Sequence, residues 1–248
     1  AFSGDIFAGF QDGSVRRYTT AEFLPADTGD VFTGHTDDVT GIAFFLGSVF
    51  TASEDGTVKK LNPDGLAQEG SLTISSNRLF GLAAGADHIF TMEQSADIIH
   101  KIDPSTMTVV NTFSFSGFPG DIHFGTDGFL YASWGTTVVQ IDPATMTQTG
   151  AFGGVENSFT TLDFNGGFLY AGTSNNPFFG EPGEVFKIDV STMTQVGSTS
   201  KPDRIQDVLF GADGFLYFLT GNGAFQIDPD TFVEQRRSFG GGLVLLFG

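Results

Sequence analysis

The sequence contains no cysteine. That excludes disulfides, a thiolate nucleophile and cysteine-ligated zinc or iron–sulfur centres. Basic residues are scarce: 11 Lys and Arg stand against 29 Asp and Glu, a formal net charge of −18 over 248 residues. A surface of that sign repels a nucleic-acid duplex and an anionic membrane surface, so neither is expected as a partner. There is no long apolar run. The longest is the terminal "LVLLFG", far short of the roughly 20 residues that a membrane-spanning helix needs, and membrane insertion is not expected. Histidine is limited to His35, His88, His100 and His123. The GxSxG, HExxH, P-loop and Rossmann fingerprints are all missing, so no standard hydrolytic or nucleotide chemistry is announced. The sequence starts at Ala1 without a signal-like stretch. The expectation drawn from this is a processed, exported protein, extracellular, periplasmic or on the cell surface.

Two residue types are abundant instead: 34 Gly and 29 Phe. Gly at this level without a triplet period means many tight turns. Such a number of Phe must be buried, or the chain aggregates. Internal repeats supply the frame for both. "KIDPSTMTVV" from Lys101, "QIDPATMTQTG" from Gln140, "KIDVSTMTQVG" from Lys187 and "QIDPDTFVEQ" from Gln226 align with one another. Upstream of three of them stand "FGTDGFLYAS", "FNGGFLYAGT" and "FGADGFLYFL". Weaker copies put Asn62 and Thr19 at the Asp position. The markers 19, 62, 103, 142, 189 and 228 are separated by 43, 41, 39, 47 and 39 residues. A period near 40 with four short strands per unit marks a β-propeller blade. The "DG", "GG" and "DP" pairs are turn chemistry, Gly supplying positive φ and Pro presetting φ. Strands such as "FLYA" and "VVQI" are apolar without alternation, as expected where a sheet is covered on both faces.

The predicted fold is therefore all-β, one six-bladed propeller domain over 1–248. Five units begin with an inner strand: "VTGIAFF", "LFGLAA", "GDIHF", "FTTLDF" and "IQDVLF". The first unit starts without one, at "GDIFAGFQDG". Passing from Asp228 through Gly248 and on to Thr19 takes 39 residues, which equals the shortest internal spacing. Leu243, Val244, Leu245, Leu246 and Phe247 are therefore expected to supply the missing inner strand, pairing with the three N-terminal strands. The same strand could instead fill the first blade of a second copy.

The segment "GHTDDVTGIAFFLGSVFTASEDGTVKKLN", from Gly34 to Asn62, resembles a WD40 repeat, with Leu61-Asn62 where that family has Trp-Asp. "IFAGFQDGSVRRY" is similar. The later blades, with "DGFLY" and "IDPxTM", resemble YVTN and gluconolactonase-type propellers. The WD40 likeness implies a structural hydrogen-bond network of His35, Ser53 and Asp55. It also implies that the loops joining second to third strands, and each blade to the next, form the binding face.

On that face the largest irregularity is "TSNNPFFGEPGEV" in the fifth blade. Asn175, Asn176, Phe178, Phe179 and Glu181 are the candidate binding residues, since aromatic side chains in a Gly/Pro-rich loop suit the centre of an interface. Asn77, Asp121, Asn157 and Asp203 lie near the inner-strand entries. A gluconolactonase-type propeller holds a divalent ion on such oxygens, and these four could ligate one such as calcium. The opposing reading is polar residues placed ahead of strands, with no cofactor. Asp103, Asp142, Asp189 and Asp228, and likewise Asp127 and Asp213, read as turn formers. His88, His100 and His123 fall inside predicted strands, and His123 is the one nearest the axis.

Two functions follow. One is a non-catalytic scaffold that binds a protein partner or copies of itself, as in an extracellular appendage, filament or surface subunit. The other is a metal-dependent lactonase-type hydrolase using Asn77, Asp121, Asn157 and Asp203.

Overall fold

The computed structural model describes residues 6–18, 29–175 and 180–238. Among them every regular element is a strand, and the fold is a six-bladed β-propeller built from six small antiparallel sheets. The described residues fall into two compact units, 6–115 and 116–238.

The first unit holds three sheets. β1 (Ile6–Gly9), β2 (Val15–Tyr18) and β3 (Val31–Phe32) form the first blade. It is three-stranded among the described residues, and 243–247, expected to complete it, lie outside them. The second blade is β4 (Val39–Phe45), β5 (Ser48–Ser53), β6 (Thr57–Leu61) and β7 (Gln68–Thr73). The third is β8 (Leu79–Gly85), β9 (His88–Glu93), β10 (Ile98–Asp103) and β11 (Thr108–Ser114).

The second unit repeats the plan. The fourth blade is β12 (Pro119–Phe124), β13 (Leu130–Trp134), β14 (Thr137–Asp142) and β15 (Thr147–Gly153). The fifth is β16 (Phe159–Asn165), β17 (Phe168–Thr173), β18 (Gly183–Asp189) and β19 (Thr194–Lys201). The sixth is β20 (Ile205–Phe210), β21 (Leu216–Thr220), β22 (Gly223–Ile227) and β23 (Glu234–Ser238).

The repeat motif has a local cause. Asp103 Oδ1 accepts the Ser105 N–H at 2.7 Å and the Ser105 hydroxyl at 2.6 Å. The Met107 N–H then closes the turn on the Asp103 carbonyl at 2.9 Å, with Met107 at φ 51°. Met146, Met193 and Phe232 repeat that left-handed conformation. The turn aims the large side chain at the preceding blade. A Cβ added at Gly70 would lie 3.0 Å from Met107 Cγ, at Gly150 2.6 Å from Met193 Cγ, and at Gly197 2.4 Å from the Phe232 ring. Glycine in these three outer strands thus makes room for the next blade's plug. The Asp of the motif is a turn former, as its sequence pattern indicates.

The core lies between sheets. All six residues of β5 are buried, which is why this strand shows no in/out alternation. Between the fourth and fifth blades Phe152, Phe159 and Phe186 form a triangle with centroids 5.7–6.1 Å apart. Tyr131 stacks on Phe164 and Tyr170 meets Phe210, each at 5.6 Å. The abundant Phe is the filling of these layers.

Candidate functional site

The inner strands of the second unit carry polar side chains where the first unit carries Gly and Ala. Register puts Gly41, Gly81, Asp121, Thr161 and Asp207 at one equivalent position, within or just past the bulge of each inner strand. Two residues on stand Ala43, Ala83, His123, Asp163 and Leu209. In the first unit the strands approach closely: a Cβ on Gly41 would sit 2.5 Å from the backbone of Gly81 and Leu82. In the second unit the side chains bridge the gap. The Leu162 N–H donates to Asp121 Oδ2 at 2.8 Å, and the Ile122 N–H to Asp121 Oδ1 at 2.7 Å. The Phe210 N–H donates to Asp163 Oδ2, and Thr161 Oγ1 to Asp207 Oδ1 at 3.2 Å. An inner strand has one edge without a ladder partner, and these carboxylates satisfy its N–H groups.

Burial and mutual repulsion act on this wall. Burial pushes the Asp121 carboxyl up to about 7, with the charges of Asp207 and Asp163 adding to the effect against its two N–H bonds. Asp163 and Asp207 are raised in the same way, burial first. Burial lowers His123, whose Nε2 lies 3.9 Å from Asp163 Oδ1, beyond hydrogen-bond reach.

The loop face of the second unit sits at the start of these inner strands. Phe118 is 75% exposed, yet its backbone is fixed: the Gly135 N–H donates to its carbonyl at 2.9 Å. The Phe159 N–H in turn donates to the Gly135 carbonyl at 2.8 Å. From there the Ser174 N–H reaches the Ser158 carbonyl, Asn157 Nδ2 the Pro182 carbonyl at 2.9 Å, and Asn175 Nδ2 the Pro202 carbonyl at 3.2 Å. The ends of the fifth-blade insertion are thereby pinned to their neighbours. Glu184 is raised by burial and then by the charges of Glu181 and Glu156, so three carboxylates gather beside the insertion.

Of the predicted binding residues, Asn175 and Glu181 lie on this face, while Asn176, Phe178 and Phe179 lie outside the described residues. The four predicted ion ligands have separate partners. Asn77 Nδ2 donates to Glu93 Oε1 at 2.7 Å, Asn157 is buried against Pro182, Asp203 accepts from Asn222 Nδ2, and Asp121 belongs to the wall. Among the described residues no three of His, Asp and Glu are grouped so as to hold a metal ion.

Sequence reasoning missed Asp163, Asp207 and Thr161, because single polar residues inside apolar strands look like scatter. It also missed Phe118, although "GFPG" carries the same signal, an aromatic in a Gly/Pro loop, that singled out Phe178 and Phe179.

The first unit has two buried polar networks. His35 Nδ1 is 3.3 Å from Asp55 Oδ2 and 3.0 Å from Thr57 Oγ1, and its Nε2 is 2.8 Å from Thr51 Oγ1. Thr51 takes the place expected of Ser53, whose hydroxyl donates instead to the Asp37 carbonyl at 3.0 Å. Thr51 and Ser53 are two residues apart on β5 and share a face, and Thr51 is the one within hydrogen-bond distance of His35 Nε2. In the third blade Glu93 accepts from Ser75 Oγ at 2.6 Å and lies 2.8 Å from His100 Nε2. Burial opposes ionisation of Glu93, but these partners and Asn77 outweigh it and lower its carboxyl.

No protein-family model and no curated protein matches the sequence.

Proposed function

We propose that the protein is a non-catalytic scaffold that holds another protein on the loop face of its second unit, with Phe118 as the anchor. The carrying observation is a large aromatic side chain, 75% exposed, on a backbone tied into the sheet. Folding gains nothing from such exposure, whereas fixed aromatic anchors dominate interface energetics. Glu156, Glu181 and Glu184 flank the insertion, so the partner surface is cationic with an apolar centre. The blades read as WD40-like at the start of the chain and YVTN- or gluconolactonase-like later. An extracellular or cell-surface setting, rich in cations that screen a charge of −18, goes with this reading. The hydrolase reading is the weaker one, because both oxygens of Asp121 already accept backbone N–H groups.

A peptide-display selection against the full chain tests the proposal. The expected winners pair an aromatic residue with Lys or Arg and lose binding to Phe118→Asp. Winners indifferent to that substitution, or no enrichment, overturn it.

A further inference from the structure

Among the described residues every asparagine but one has its side chain tied down. Asn62 Nδ2 donates to Glu69 Oε1 at 3.0 Å, and Asn111 Oδ1 accepts the Thr112 N–H at 2.8 Å. Asn77, Asn157, Asn175 and Asn222 have the partners given above. The exception is Asn165, whose side-chain amide takes part in no hydrogen bond among the described residues.

Asn165 ends β16 and pairs with Phe168 across the turn Gly166-Gly167. Both glycines have positive φ, +59° and +86°, as a tight hairpin turn requires. Gly166 is exposed, and a Cβ built on it would meet nothing within 4 Å. Its N–H has no backbone acceptor among the described residues. An unbound side-chain amide is thus followed by an unbound backbone nitrogen, on a residue with no side chain to obstruct it. The other Asn-Gly pair, Asn222-Gly223, is held at both ends. Asn222 Nδ2 donates to Asp203 Oδ2, and the Asn222 N–H to Thr220 Oγ1 at 3.2 Å. Gly223 is buried in β22, where it pairs with Thr220.

We infer that Asn165 is a site of spontaneous deamidation and isoaspartate formation. The Gly166 nitrogen loses its proton to water or hydroxide and attacks Asn165 Cγ. A C–N bond forms there, the bond to the side-chain nitrogen breaks, and ammonia leaves. The product is a cyclic succinimide. Water then opens the ring at either carbonyl. One opening leaves aspartate at position 165. The other leaves isoaspartate, with the main chain running through the former side-chain carbonyl. On balance the amide and water become a carboxylic acid and ammonia. Either product places a new negative charge two residues after Asp163. Isoaspartate also adds a backbone atom to the β16–β17 hairpin and disturbs its register. This modification is independent of the partner site around Phe118.

The test is a time course on the full chain at mildly alkaline pH, run folded and in denaturant. Peptide mapping with electron-transfer fragmentation distinguishes aspartate from isoaspartate at each asparagine. The ratio of conversion at Asn165 to that at Asn222 in denaturant is the reference, since chemistry alone sets it. Folding should raise that ratio by about tenfold or more, the factor that one charge-assisted hydrogen bond contributes. Aspartate and isoaspartate should both accumulate at position 165. A ratio that folding leaves unchanged or lowers would overturn the inference. So would a folded chain in which Asn165 stays intact while the denatured chain converts.

Discussion

Asp121 ties two neighbouring inner strands together through one carboxyl group. Its two oxygens are spent on backbone N–H groups of its own and the next inner strand. Its carboxyl is raised from 3.8 to about 7, so the fold favours the protonated form. That contribution is full below the ordinary carboxylate range and is lost as pH rises through about 7. Asp163 and Asp207 act in the same direction. The turn carboxylates Asp103, Asp189 and Asp228 are lowered, chiefly by side-chain or backbone hydrogen bonds, and their contribution is lost only in stronger acid. The wall's share of stability should therefore fall from about pH 5 to about pH 8, against the opposite contribution of His35 and His123, which burial lowers. The midpoint difference between wild type and Asp121→Asn should accordingly change in the variant's favour as pH rises across that window. A midpoint difference that stays constant from about pH 5 to about pH 8 would refute this account of the wall. The turn aspartates were legible because "IDPxTM" repeats. The wall was not, because it depends on which strand lies beside which, and no local pattern records that.

At the scale of the strand, glycine separates close approach from turn making. Gly41 faces backbone, and a Cβ there has no flexible neighbour to displace, whereas Gly47, at φ +81°, opens into free space. Gly41→Ala should cost about 3 kcal/mol or more and Gly47→Ala about 1 kcal/mol in chemical denaturation. Equal losses would contradict the strand approach described above. The aromatic triangle between blades gives a second measure: Phe159→Ala should cost about 3–5 kcal/mol. A loss within experimental error would mean that the inter-sheet layer is not the core. Strand number, order and the Asp turns were readable from period and turn chemistry. The plugging role of Met107, Met193 and Phe232 was not, since their partners Gly70, Gly150 and Gly197 lie a blade away in sequence.

At the scale of the molecule, a spacing near 40 residues led to six sheets because each repeat can bury its apolar strands only against another repeat. Function was less legible. A binding face is made of residues that break the repeat, and one sequence offers no standard against which such a break acquires meaning. Phe118 acquires it only when its exposure is seen together with its fixed backbone. The most direct measurement is the affinity of a display-selected peptide for wild-type and Phe118→Asp protein, with the melting temperature of both recorded. The account predicts at least a tenfold loss of affinity, the scale expected for an interface anchor, with no change in melting temperature. An affinity unchanged by the substitution would contradict it.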